Sequence, residues 1–448
     1  MKLHTRILLG LVLGAVAGVG VNIAAGDAAW VGWINRYVAG PVGQIFLRLL
    51  FMVVIPLVFA TLSLGVAGFG NLRNLGRVGA KTLGYFLATT ALAAALGLFL
   101  VNAVQPGAGL APATVQRLQE IYAGQAQERF AASGATSFGI DTFVAIVPRN
   151  PLGAAADMDM LGLIFFSIVF GVALAMIPVE RAAPLLRVLE ALAEAVTKII
   201  DIAMRLAPYG VFALIFVVTS TFGWGLLRQL ALYVAVVLVG LAIHAGVTLS
   251  AIVRVLAGLN PIRFWSKIRE VLITAFSTSS SNATLPTTLL VAERTLGIPP
   301  RIGGFVLPLG ATMNMNGTAL FEGVTVLFVA QVFGLDLPLA KQGIIVVLSV
   351  LTAVGAAGVP GGSIPLLMMM AASVGVPGEG IAIILGVDRI LDMTRTTVNV
   401  AGDLTAACVI ARSEGGWNPR EAEVQDRVEG FPDEPLDEAP VPYRSPTL

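Results

Sequence analysis
Near the C-terminal end of the chain, the stretch DRILDMTRTTVNVAGD (388–403) places three aspartates and two arginines within sixteen residues. An α-helix turns about 100° per residue, so Asp388, Asp392, Arg395, Asn399 and Asp403 fall within an arc of roughly 80°. Val398, Val400 and Ala401 lie elsewhere around the same helix. A stripe of this kind handles charge: it faces a common cavity, and ionisable groups held inside an apolar protein mark a functional site unless they only pair with one another. The bland alternative is a salt-bridge ladder in which Asp388 or Asp392 pairs with Arg395 to lock the helix. Asn399 and Asp403 continue the stripe beyond that ladder.

The surrounding chain is 56% hydrophobic and 12% charged over 448 residues, against roughly 25% charged in an ordinary soluble domain. Apolar runs approaching or exceeding the roughly 20 residues needed to cross a bilayer cover 7–25, 45–69, 82–104 and 160–177, and others follow. The expected class is an all-α integral membrane protein in contact with lipid, a bundle of about eight spans forming one unit. Lys2 and Arg6 precede the first span, Arg73, Arg77 and Lys81 separate the second from the third, Arg181 and Arg187 follow the fourth, and Arg263, Lys267 and Arg269 follow the sixth. The positive-inside rule makes these cytoplasmic and the polar connection from Gln105 to Thr142 external. The N-terminal apolar run exceeds the roughly 7–15 residues of a signal-peptide core and reads as an uncleaved first span.

From Ser413 to Leu448, nine acidic and three basic residues give a net −6, so the remainder carries about +7. That Pro-rich acidic tail reads as solvated and disordered. No aromatic-interleaved basic cluster argues for nucleic acid. One cysteine, Cys408, excludes an internal disulfide or a cysteine metal cluster, and His4 and His244 leave no histidine-rich metal centre.

In the last third the spans are interrupted. STSSSNATLP (277–286) lies between Pro261 and Arg301, and GAAGVPGG (355–362) between Leu335 and Gly380. Irregular backbone survives in a membrane only where protein or water surrounds it, so both segments read as re-entrant helical hairpins. Each precedes a helix with its own polar interruption, NMNGT (314–318) in the first case and the charged stripe in the second. Ser281 to Asn316 and Pro360 to Arg395 are both 35 residues apart. Matching interruptions in two halves point to a transporter of inverted repeats with its site at their interface.

The motifs TSSSNATLP, GATMNMNGTALFE, AAGVPGG and LDMTRTTVNVAGD, in that order and spacing and with VPRNP (147–151) before them, resemble the dicarboxylate/amino acid:cation symporters, the family of the glutamate transporters and their prokaryotic aspartate homologues. The resemblance covers residues 5–412. It implies eight transmembrane helices plus two re-entrant hairpins in the elevator-type glutamate transporter fold, and a homotrimer in the bacterial inner membrane with both termini cytoplasmic. Residues 1–78 would form scaffold spans 1–2, 79–104 span 3 of the transport domain, and 105–222 the external loop with scaffold spans 4–5. Residues 223–412 would supply span 6, hairpin 1, span 7, hairpin 2 and span 8 of the transport domain, and 413–448 the acidic tail. The implied activity is secondary active uptake of an acidic amino acid, aspartate or glutamate, coupled to a sodium gradient with protons as a further candidate, and no enzymatic cofactor.

Roles implied by the resemblance fall on named positions. Arg395 matches the arginine that clamps the substrate's side-chain carboxylate, a task suited to a planar bidentate fork. Asp392 matches the carboxylate that takes the α-amino group. Asn399 and Thr396 match the groups on the main-chain carboxylate, completed by Ser280 and Ser281 at half-helix ends, with Thr318 beside the pocket. Asp403, with Asn399 and backbone carbonyls, matches one sodium site. Asn314, Asn316, Thr89 and Thr90 match a further one. Gly358 and Val359 belong to the gate that closes over the substrate.

Four positions depart from the family pattern. Asn316 stands where the motif has aspartate, which removes a charge from a sodium site. Glu322 resembles the animal glutamate transporters, where a glutamate is linked to proton and potassium coupling. Ser279 and Met393 both lack the arginine that members carry at one of the two, and Arg389 is the nearby substitute. Asn282 beside the serine tip has no interpretation. A serine nucleophile lacks a base in the membrane region, and a plain anion channel would need no cation. Within transporters, a C4-dicarboxylate symporter is disfavoured by Asp392, which unpaired would repel a dianion, and a neutral amino acid carrier by Arg395, which it would leave unpaired.

Overall fold
The computed structural model describes residues 3–26, 28–68, 76–110, 115–116, 147–156, 160–355, 363–415 and 417–418, and among them every regular element is helical. The first apolar run is one helix, α1 (Leu3–Ala25). The second is interrupted: α2 (Ala29–Ile34) passes through a π-helical turn (Asn35–Ala39) into α3 (Gly40–Phe51), and α4 (Val54–Gly68) follows a break at Met52 and Val53. Next come α5 (Gly76–Val104), α6 (Pro151–Ala156) and α7 (Met160–Met176).

The long α8 (Val179–Ile243) is two helices joined at a kink, because Gly223 adopts φ 67° and ψ −152°. Only glycine takes this conformation without strain, and a side chain there would collide with Asn22. Asn22 in turn donates to the Ser220 carbonyl at 2.9 Å, and Asn35 of the π turn donates to the Ser220 hydroxyl at 3.0 Å. The kink is therefore braced by amides from α1 and from the π-helical turn between α2 and α3. Past Ile243 the helix continues through π-helical turns at His244–Leu249 and Val253–Ala257 to the left-handed Gly258.

The serine segment turns the chain between two helices. In α9 (Pro261–Thr278) the Asn260 side chain accepts from Ile262 N at 2.9 Å and Pro261 opens the first turn, a standard helix start. Ser279 (φ 52°) closes α9 in the left-handed conformation, and extended Ser280 caps α10 (Ser281–Arg294) by accepting from Ala283 N at 3.2 Å. Thr278 and Thr284 clamp the tip through the Ser280 carbonyl at 3.3 and 2.8 Å.

Beyond it lie α11 (Pro300–Met313), α12 (Asn316–Val332), α13 (Leu339–Gly355), α14 (Ile364–Ser373) and, after a 3₁₀ turn at Gly378–Ile381, α15 (Ala382–Glu414). Residues 356–362, with Gly358 and Val359, lie outside the described residues. NMNGT does break its helix, with Asn314 and Met315 non-helical between α11 and α12. The charged stripe does not: residues 388–403 are one unbroken stretch of α15. The polar stripe thus interrupts the apolar character of its helix and not its backbone, because side chains three and four apart pair along a helix without displacing its backbone bonds.

Among the described residues, four helical stretches are long and apolar enough to cross a membrane, Thr5–Ala25, Arg77–Val104, Val179–Ala257 and Pro300–Val332. Shorter apolar helices cover Ile55–Leu64, Gly162–Met176 and Leu339–Val354. Met52 divides the second run, Val179–Ala257 runs through the Gly223 kink, and α15 carries charge inside it.

The end of α15 is strapped down. Glu414 pairs with Arg77 at 2.8 Å and Lys81 at 2.7 Å at the start of α5, Arg412 donates to the Leu256 carbonyl at 3.2 Å, and the buried Trp417 indole donates to the Leu296 carbonyl at 2.9 Å. Order thus extends past Ser413 into the segment expected to be disordered, because a buried indole and a doubly paired carboxylate offset the entropy of fixing the chain. Replacing Trp417 with Ala should destabilise the protein by about 3 kcal/mol through lost burial and an orphaned carbonyl. Unfolding midpoints in detergent measure this, and an unchanged midpoint would show that the indole docking contributes nothing.

Candidate functional site
α15 is enclosed by α1, α5, α8, α9, α10, α11 and α12. Val400 and Ala401, off the stripe, are each 1% exposed and Asn399, on it, is 3% exposed, so burial does not distinguish the stripe. Its partners do. Arg395 donates from Nε and Nη2 to Asp392 Oδ1 at 3.1 and 2.9 Å, and from Nη1 to Asp388 Oδ1 at 3.1 Å. Its guanidinium lies 4.2 Å from the centroid of the Phe321 ring on α12. A desolvated cation over an aromatic face is worth about 2 kcal/mol, while removing one member of a buried ion pair costs roughly 3–5 kcal/mol. The ion pairs therefore dominate and the ring orients the fork. Nη1 and Nη2 each keep a further N–H for another acceptor.

The ladder reading and the site reading thus coexist, since Arg395 pairs with both aspartates and still has donors left. Asp392 is not a lone carboxylate, because its Oδ2 also lies 3.6 Å from Nη1 of Arg389. That corrects the argument that it would repel a dianion.

One turn further on, Asn399 ties α15 to the start of α12. Its Oδ1 accepts from Gly317 N at 2.7 Å and Thr318 N at 3.3 Å, and its Nδ2 donates to the Thr318 hydroxyl at 3.1 Å. The first N–H groups of a helix have no partner within it, so the amide completes the α12 N-terminus. Thr396 is buried on the same helix, and Ser280 and Ser281 are buried at the hairpin tip. Both hairpin helices, α9 and α10, pack against α15.

A second polar cluster gathers oxygens. Thr90 donates to Asn316 Oδ1 at 2.8 Å and Thr89 approaches the same atom at 3.5 Å. Asn314 donates to Asp403 Oδ1 at 2.9 Å, and its amide and that of Asn316 both flank Gly402. Asn314 Oδ1 and Asn316 Nδ2 are buried with no partner among the described residues. Buried polar atoms are nearly always satisfied, so the orphaned Asn314 oxygen close to the Asp403 carboxylate is a donor set suited to a hard cation. Asn316 faces it with an amide where an aspartate would bring charge.

Glu322 sits apart from these clusters, wholly buried on α12. The Thr352 hydroxyl on α13 lies 2.8 Å from Glu322 Oε2 and also 2.8 Å from the Leu348 carbonyl. A hydroxyl carries one hydrogen, which the two acceptors share, and Glu322 Oε1 is buried with no partner among the described residues. Thr352 and Phe321 escape sequence reasoning, as neither stands in a polar pattern. Only the spacing of Phe321 one residue before Glu322 and inside a motif would have drawn notice.

Comparisons with known proteins bear on this geometry. Residues 3–413 match the model of the sodium:dicarboxylate symporter family. The chain is similar to the proton/sodium-glutamate symport protein of Bacillus subtilis (strain 168), 38% identical over 421 residues that cover 94% of this chain and 95% of the relative. It is similar to the proton/glutamate-aspartate symporter of Escherichia coli (strain K12), 38% identical over 95% of this chain and 96% of that one. A C4-dicarboxylate transport protein of Bacillus subtilis (strain 168) is 33% identical over 96% of this chain and 98% of the relative.

Backbone forms part of the wall of the site. A Cβ at Gly317 would stand 2.6 Å from the Arg395 carbonyl oxygen, and one at Gly310 would stand 2.6 Å from Asp403 Oδ1. Gly317→Ala should therefore force α12 away from α15, costing about 1–3 kcal/mol and weakening ligand binding in step. Thermal unfolding in detergent with and without substrate tests this, and a variant with parental stability would show that the helices have slack.

Proposed function
Because the chain belongs to the sodium:dicarboxylate symporter family, we propose that it is a secondary active symporter that takes up aspartate or glutamate, driven by a cation gradient. The observation that carries the reading is the buried pairing of Asp392 with Arg395 beside Asn399 and Thr318. A carboxylate and a guanidinium fork on adjacent turns present complementary partners to an ammonium and a carboxylate of one small zwitterion. Asn399 and Thr396, with the Ser280–Ser281 tip, would hold the second carboxylate. The segment with Gly358 and Val359 would close over it. Transport by an elevator movement of 79–104 and 223–412 against the rest, a homotrimeric assembly and placement in a bacterial inner membrane with cytoplasmic termini all belong to this reading.

A four-carbon dicarboxylate is the second reading, and the Arg389–Asp392 contact at 3.6 Å favours it. It partly neutralises the carboxylate that would otherwise demand an amine. A neutral amino acid would leave Arg395 with unmatched donors.

Uptake of radiolabelled aspartate and glutamate into proteoliposomes, under separately imposed sodium and proton gradients, tests the proposal. No uptake under either gradient overturns it. Arg395→Cys should lower acidic-substrate uptake at least about 30-fold, as truncating a buried charge partner costs roughly 2–5 kcal/mol, and should admit neutral amino acids. Parental aspartate affinity in that variant would remove Arg395 from the site.

Coupling follows from Asn316 and Glu322. An amide at 316 supplies an oxygen but no charge to offset the dehydration of sodium, so few sodium ions per substrate are expected. A proton on Glu322 would enter with substrate and favour uptake from the acidic side. Asn316→Asp should steepen the sodium dependence of binding, and Glu322→Gln should flatten the pH dependence of uptake. Sodium and pH titrations that match the parent in both variants would overturn this coupling scheme.

A further inference from the structure
Both oxygens of Asp392 are engaged by guanidinium groups. Oδ1 accepts from Nε and Nη2 of Arg395 at 3.1 and 2.9 Å, while Oδ2 lies 3.6 Å from Nη1 of Arg389, three residues earlier on α15. The two arginines approach the carboxylate from different flanks of the helix, since residues 389 and 395 point about 120° apart. Arg389 is itself largely enclosed, with a side chain 12% exposed, and its Nε–H is buried without a partner among the described residues. Buried guanidinium donors are ordinarily satisfied, so Arg389 is held in the charge cluster with donor capacity that no described residue uses.

The charges decide what this does. Asp388, Arg389, Asp392 and Arg395 sum to zero, and without Arg389 the cluster carries one net negative charge. An acidic amino acid brings two carboxylates and an ammonium. A four-carbon dicarboxylate brings two carboxylates and nothing to satisfy Asp392. A carboxylate paired on one side only discriminates strongly against the second ligand, because binding would press like charges together in a dry site. A carboxylate shared between two arginines discriminates much less.

We propose that Arg389 is a specificity-determining residue, which holds Oδ2 of Asp392 and thereby lets the site accept four-carbon dicarboxylates lacking an amine alongside acidic amino acids. The proposal rests on the acidic-substrate reading and refines it. Arg389 acts through Asp392, so it sets preference between ligand classes and not the ability to bind an anion at all.

Purified parent, Arg389→Gln and Arg389→Lys proteins in proteoliposomes, assayed for labelled aspartate uptake against unlabelled succinate and for labelled succinate uptake directly, give the ratio of apparent affinities. The parent should take both substrates. Arg389→Gln should raise the preference for aspartate over succinate about tenfold or more, and Arg389→Lys, which keeps the charge, should stay within about threefold of the parent. A ratio unchanged in Arg389→Gln, with both affinities falling together, assigns the arginine a structural role and overturns the proposal. So does a parent whose aspartate uptake resists succinate at a hundredfold excess, a result that leaves the acidic amino acid reading intact and is decisive even should the glutamine variant fail to fold. Parent liposomes that take up neither aspartate nor glutamate would overturn the acidic-substrate reading itself.

Discussion
The buried grip of two Arg395 N–H groups on one oxygen of Asp392, extended to Asp388, is the constraint that the rest of the architecture serves. Ions drawn out of water cost several kcal/mol each even after relaxation, and only tight geometry with further hydrogen bonds recovers the loss. The helix that carries them must therefore be wrapped by protein, and α15 is: scarcely a residue of its central turns reaches solvent. Phe321 from α12 covers the guanidinium face, and the ends of α11 and α12 supply amides and hydroxyls instead of apolar side chains. A polar centre of this kind is fixed by several elements at once, so none of them can be displaced without exposing an unpaired group.

The same logic explains the broken backbone around the centre. Asn314 and Met315 leave the helical conformation between α11 and α12, and the freed N–H groups of Gly317 and Thr318 find Asn399. Ser279 and Ser280 reverse the chain at the first hairpin while Thr278 and Thr284 hold the turn. Each break is satisfied by a side chain, which is what allows irregular backbone to persist in an apolar setting. The kink at Gly223 redirects a helix through a positive φ and is likewise braced by side chains, those of Asn22 and Asn35.

Much of the site was legible because its residues repeat at three and four and stand out against an apolar chain. The stripe, the serine tip and NMNGT could be found from spacing and type alone. The continuous course of α15 was legible with them, since the stripe exists only if 388–403 is one helix, whereas which of its members pair with one another depends on side-chain direction. Thr352 meeting Glu322 and Trp417 meeting Leu296 join residues 30 and 121 apart, and no local pattern announces such contacts. Gly223 looked like any of the chain's 49 glycines. Its role depends on a positive φ that composition does not encode. Arg389 was visible as a charge, but its hold on the second oxygen of Asp392 is a matter of side-chain direction.

The glycines at 310, 317 and 402 bear on how such a protein can diverge. Where a Cβ would strike a neighbouring carbonyl, carboxylate or amide, the wall of the site is main chain, and main chain cannot be enlarged or trimmed by exchanging a side chain. Steric routes to a new preference are closed at those points. What remains open is the exchange of one polar group for another of the same shape, as an amide for a carboxylate at position 316. Changes of ion or substrate in this architecture should therefore proceed by altering charge at constant volume, leaving an outline of the cavity that stays nearly the same while its selectivity drifts.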